Sequence, residues 1–184
     1  FSPRRSYSVL RVQRDILRRS QMGAILTSQQ PVNGDGDAYA RNAGVDITLR
    51  PTDQWRVDGM VAGSATPDPN ESGLAMYAAN NWRNDNFRVS ASYLDIAPEF
   101  TAKTGFVQRE DMRRFRFSGS AEAHPDSTIR GMDVEGRGSY LVDHDNEVIG
   151  WDYGGKAGMY FSSGDGFGAG FGQSFDIVDE AFEV

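Results

Sequence analysis

The feature that most restricts this chain is a two-residue alternation of apolar and polar side chains, which returns in segment after segment. In AGVDITLR, Ala43, Val45, Ile47 and Leu49 alternate with Asp46, Thr48 and Arg50. In WRVDGMV, Trp55, Val57, Gly59 and Val61 oppose Arg56 and Asp58. NFRVSASY sets Phe87, Val89, Ala91 and Tyr93 against Arg88, Ser90 and Ser92. RFRFSGSAEA sets Phe115, Phe117 and Ala121 against Arg114, Arg116, Ser118, Ser120 and Glu122. GMDVEGRGSY separates Met132, Val134 and Tyr140 from Asp133, Glu135 and Arg137. GFGAGFGQSFDI separates Phe167, Phe171 and Phe175 from Gly168, Gly170, Gly172 and Asp176. Successive side chains of a strand point to opposite faces, so each segment reads as a strand with one apolar and one polar face. The pattern predicts an all-β chain, an antiparallel up-and-down meander of about ten strands. Many are near the roughly 9–11 residues that a tilted membrane strand needs.

The connections carry a second signal. Thr52-Asp53-Gln54, Asn84-Asp85, HPDS (124–127) and SGDG (163–166) are short. The alternate connections, 29–37, 66–73, 97–112 and 143–150, are mostly longer. Short turns at one end and long loops at the other mark an outer-membrane-type β-barrel, or an open part of one. Trp55 and Trp82 lie at the short-turn end, and Trp151 begins a strand at the long-loop end. An aromatic girdle would sit there, although ordinary strand-end packing also places Trp at such positions. The first hairpin is expected from Ser6–Arg14 and Gln21–Ser28, turning at DILRRS. That puts Arg11, Arg14, Arg18 and Arg19 on strands and in a turn.

Composition closes several routes. The chain of 184 residues suffices for one domain, residues 1–184. It begins Phe1-Ser2-Pro3 without Met, so a piece of a longer protein is expected. No run reaches the roughly 18 apolar residues of a membrane helix, which leaves membrane barrels untouched because their strands alternate. Cysteine is absent, which removes disulfides and thiolate chemistry. The first twenty residues hold six Arg and one Asp, yet the whole chain carries −7. The remainder is therefore strongly acidic, and nucleic acid is not expected as a partner.

Two stretches resemble a known family. VLRVQRDILRRSQMGAILT is similar to the hairpin of a bacterial family called domain of unknown function 5916. EFTAKTGFVQREDMRRF resembles that family's loop-and-strand signature, carried here by Phe100, Gly105, Phe106, Val107, Arg109 and Asp111. In that family a secreted carbohydrate-binding family 9-like module typically precedes a C-terminal outer-membrane barrel. The resemblance implies that this chain is part of the barrel, with a sugar-binding module N-terminal to it in the full-length protein. The family has no settled activity, so the resemblance brings no catalytic residues. Some members are labelled hydrolases, a label without weight here.

Residue by residue, the chemistry is sparse. Asp143, Asp145 and Glu147 form a D-x-D-x-E run, but it lacks the Gly and distant Glu of a calcium loop and reads better as a solvated turn. NGDGD (33–37) is a weaker case. GDGFGA (164–169) matches a dinucleotide fingerprint in letters only, because a strand follows it instead of a helix. Gly166, Gly168, Gly170 and Gly172 instead read as a bare stripe with room for neighbouring side chains, a plug or a ligand. His124 and His144 lie in or beside turns, and neither catalytic-triad nor two-His metal spacing is discernible. No metal or cofactor is expected. Paired carboxylates such as Asp133 and Glu135 could serve a glycosidase, but a charged barrel wall supplies such pairs by composition.

The polar face is the candidate site. Arg56, Arg88, Arg114, Arg116 and Arg137 share it with Asp46, Asp58, Glu122, Asp133 and Glu135. Charges on the neighbouring strands 114–123 and 131–140 are expected to pair across the ladder. Mixed signs favour a lumen that holds its shape over one that selects a polar or anionic solute. The expected role is a barrel in the cell outer membrane, an anchor or pore in contact with lipid and linked to glycan binding or uptake. The alternative is a soluble β-sheet domain that binds or hydrolyses carbohydrate.

Overall fold

The computed structural model describes residues 4–32, 39–68, 72–102, 109–125 and 128–177. They form ten strands: β1 (Arg5–Leu17), β2 (Ser20–Pro31), β3 (Ala40–Leu49), β4 (Trp55–Ala65), β5 (Leu74–Arg83), β6 (Phe87–Ile96), β7 (Met112–Ala123), β8 (Ile129–Val142), β9 (Val148–Phe161) and β10 (Gly166–Asp176). All ten lie in one sheet in sequence order, each antiparallel to the next. The described residues contain no helix. β1 and β10 do not meet, so the sheet is open, with two free edges. Alternation and short connections dictate this order, since each strand's nearest partner is the one that returns beside it.

Several boundaries differ from the sequence reading. The first turn is not DILRRS but Arg18-Arg19 alone, because the ladder runs on through a register shift between Asp15 and Leu17. β9 starts at Val148, ahead of Trp151, because Val148 finds a partner in Val142.

Register fixes the faces. Directly opposed residues share a side, so Val45, Val61, Met76, Asp95, Arg113 and Val142 trace one face across β3 to β8. Val45, Ile47, Val57, Val89, Phe115, Phe117, Val134, Phe171 and Phe175 all lie on that apolar face. Arg56, Arg88, Arg114, Arg116 and Arg137 lie on the other, with Asp46, Asp58, Glu122, Asp133 and Glu135.

The polar face is the sheltered one. Ala40, Ala75 and Ala79 on that side are buried, whereas Ala43, Ala78 and Ala91 on the apolar side are exposed. The same small residue reports opposite environments, as expected when a sheet curls with its polar face inward. The main buried cluster, Ala75, Ile96, Phe100 and Met112, also sits inside, at the long-loop end. Among the described residues no second layer covers the outside: Phe117 is 62% exposed and Phe171 68%.

Candidate functional site

On the inner face the charges do not mix evenly. Arg11 of β1 pairs with Asp46 of β3 at 2.6 Å. Arg56 grips Asp58 with Nε at 2.8 Å and Nη2 at 2.8 Å, and Thr48 donates to the same carboxylate at 2.7 Å. Glu135 pairs with Lys156 of β9 at 2.9 Å. The expected pairing between β7 and β8 does not occur. Arg116 stands opposite Ser139, Arg114 opposite Leu141, and Arg137 opposite Ser118, while Glu122 faces Asp133. The cause is height along the ladder. On the paired rungs arginine occupies the long-loop half of both strands and carboxylate the short-turn half, so opposite charges never fall on one rung; Arg130, at the short-turn end of β8, lies in a register shift and has no rung partner.

A second segregation lies at the short-turn end. Arg50, Arg56, Arg83 and Arg88 gather on the β4–β6 side, while Glu122, Asp133 and Glu135 lie across the β7–β8 side. A groove of about 540 Å³ runs between these arginines and Glu135, lined also by Asp53, Asn81, Ser90, Ser118 and Ser120. Ser90 and Ser118 share a hydroxyl hydrogen bond of 2.8 Å. Arg83 is outside the set singled out by sequence, although WRNDNFR announces it: two arginines flanking a short turn become cross-strand partners.

The glycine stripe of β10 lies on this inner face, opposite further glycines: Gly168 faces Gly158 and Gly172 faces Gly154. Part of its space is taken by Tyr160, whose ring would stand 3.0 Å from a Cβ at position 166. Neighbouring side chains thus use some of the room that the sequence leaves there.

The loop that carries the family-like signature is held over the long-loop end. Phe100 is buried against Ala75, Ile96 and Met112. The Thr101 N–H donates to Ser64 Oγ of β4 at 3.1 Å, and the Gly73 N–H donates to the same oxygen at 3.0 Å. A Cβ at Gly73 would come within 2.5 Å of the Phe100 nitrogen, so only glycine admits the loop. At the far side, Arg109 donates to the Ile177 carbonyl at 2.8 Å, beyond the end of β10. The loop joins adjacent strands yet reaches from β4 to the last strand. Gly105, Phe106 and Val107 lie outside the described residues, as does NGDGD.

Asp111 anchors the same loop on the outer side. Its φ is 50°, a left-handed conformation that Asp tolerates. Its Oδ1 accepts the His144 backbone N–H at 3.1 Å and meets His144 Nδ1 at 2.7 Å, while His144 Nε2 meets Asp95 Oδ1 at 3.0 Å. Asp95 also accepts from the Tyr93 hydroxyl at 2.7 Å. Partial burial lowers the pKa of His144, but its bonds to Asp111 and Asp95 outweigh that and raise it above the ordinary histidine value. The Asp143 carboxylate is turned onto the Glu147 N–H at 2.8 Å, closing the 143–147 turn. His124 leans on Glu122 at 3.1 Å, remote from His144. The two carboxylates opposed on β7 and β8, Glu122 and Asp133, share a rung and border a pocket with His124, Arg130 and Tyr160.

Comparison with known protein families, with curated proteins and with solved structures finds no match to this chain.

Proposed function

We propose that this chain is part of an outer-membrane-type β-barrel that serves the bacterial cell envelope as an anchor or pore wall. The observation that carries the reading is the uncovered apolar face. It runs across all ten strands, with Leu10 and Leu26 at one edge and Phe171 at the other, each more than half exposed. A soluble protein does not leave so wide a patch open to water, whereas lipid satisfies it.

Aromatic side chains sharpen the case. Trp55 and Trp82 are direct partners at the short-turn end of this face. Trp151 lies at the long-loop end, 5.3 Å from Tyr153 and 6.2 Å from Phe175 between ring centres. Trp151 and Phe161 stand ten positions apart on that face of β9. At the rise and tilt of a barrel strand this is about 25 Å of membrane depth, the height of the apolar band in such barrels. The inner face, charged and hydroxylated, suits a water-filled or plugged lumen.

Membership of the 5916 family, and with it a place beside a glycan-binding module, rests on the two quoted stretches. The test is physical. Refolded from urea into phosphatidylcholine vesicles, the chain is expected to float with the lipid and to resist protease. A chain that folds without lipid or detergent, stays monomeric and sediments apart from vesicles would overturn the reading in favour of a soluble sheet domain.

A further inference from the structure

Arg83 and Arg88 stand directly opposite each other on the last rung of β5 and β6, on the inner face. Like charges on one rung repel each other. The turn between them keeps them there: Asn84 Oδ1 accepts the Asn86 and Phe87 N–H groups at 3.0 and 2.6 Å. Among the described residues neither guanidinium has an ion pair. Three carboxylates around them are engaged elsewhere, Asp53 by Arg19, Asp58 by Arg56 and Glu135 by Lys156, and Asp85, exposed in the turn itself, pairs with neither. Both arginines border the 540 Å³ groove, as do Arg50 and the hydroxyls of Ser90 and Ser118.

We propose that this groove is an anion site, in which Arg83 and Arg88 clasp one phosphate group between them. The chemistry follows from donor geometry. Each guanidinium is a planar fork that matches two oxygens. A carboxylate has two oxygens and satisfies one fork, whereas a phosphate monoester has three terminal oxygens and close to two charges, enough for both. One proton of the Ser90–Ser118 pair is spent on their mutual hydrogen bond, and the other is a donor for an oxygen the forks leave over. Bound phosphate turns the repulsion on the rung into attraction. The location of the groove at the short-turn mouth of a lumen rests on the barrel reading; the clasp itself does not. Phosphate could arrive free or carried on a sugar, and the test separates the two.

The chain, folded in an uncharged detergent at constant ionic strength, is titrated calorimetrically with inorganic phosphate, glucose 6-phosphate and acetate. Arg83→Gln, Arg88→Gln and Arg116→Gln are compared, the last being an inner-face arginine outside the groove. Saturable phosphate binding is expected, weakened at least tenfold by either of the first two changes and less than twofold by the third. Stability gives an independent readout. Without phosphate, Arg83→Gln is expected to unfold at a higher temperature than the parent, because the repulsion is gone; saturating phosphate should raise the parent's midpoint by more than the variant's. Binding of glucose 6-phosphate as well as phosphate assigns the site to a phosphorylated solute, and binding of phosphate alone to the free ion. Acetate bound as tightly as phosphate, no saturable binding, or equal weakening by Arg116→Gln would overturn the proposal. A chain that enters vesicles but ignores phosphate loses this site and keeps the barrel reading. One that binds phosphate and stays out of vesicles does the reverse.

Discussion

His144 shows how one side chain ties two loops and a strand together. A neutral imidazole has one N–H and one lone pair, so it can donate to only one of two carboxylates. Asp95 and Asp111 both need a donor, and the imidazolium supplies two. The folded pKa is therefore raised, despite the opposing effect of burial. A raised value means stability that is complete below the ordinary histidine pKa, about 6.5, and fades as pH climbs through the folded value. His144→Phe is expected to destabilise the fold by about 1 kcal/mol at pH 5.5, a modest figure because solvent reaches the cluster. Denaturant titrations from pH 5.5 to 9 should show the gap narrowing. A gap constant with pH would mean that the ring acts by packing alone. One trace of this cluster is legible beforehand: Asp95 interrupts an apolar stripe, sharing a face with Tyr93 and Val89.

At the scale of a strand, the two faces should respond oppositely to charge. Phe117 and Val134 stand mid-strand on the apolar side. An arginine there would sit in hydrocarbon. Phe117→Arg or Val134→Arg should cost about 2–4 kcal/mol in lipid vesicles, against less than about 1 kcal/mol for Ser118→Arg on the inner face. Urea unfolding of the vesicle-bound protein measures both; equal effects on the two faces would remove lipid from the picture. The same strands explain a break in the alternation. Gly138 lies on the apolar face because the ring of its partner Phe117 occupies its place, 2.4 Å from where a Cβ would stand. Phe171 leans over its partner Gly155 in the same way, at 3.4 Å. A gap in the apolar pattern is thus filled from across the ladder.

The described residues of the whole molecule form one sheet whose edge strands each have a single neighbour. β1 is a long edge of 13 exposed residues without Pro or Lys, guarded by Arg5, Arg11, Arg14 and Asp15 and by the register shift after Asp15. β1 and β10 run antiparallel to each other, the sense in which a barrel closes or a neighbouring strand adds. Hydrogen exchange on detergent-solubilised monomer should find the amides of β4 to β8 protected, and only about half of those on β1 and β10, the half bonded inward. Full protection of both outer strands in a monomer would mean that they pair with each other and that the ten strands close by themselves.

Much of this was decided by the sequence alone. Period two assigns every strand a face, because the backbone allows no other outcome once the ladder forms. That is why Val89 and Arg88 point apart as their alternation requires. Turn length gives sequential order for the same local reason. Tertiary structure decided what depends on register between strands and on loops that travel. Whether Arg116 meets a carboxylate or Ser139 turns on how far β7 slides against β8, and alternation is blind to a slide of two residues. The reach of one loop from Ser64 to Ile177, and the meeting of Asp95, Asp111 and His144, join residues far apart in sequence. No local pattern encodes such distances; they exist only once the strands have paired and the loops have folded across their ends.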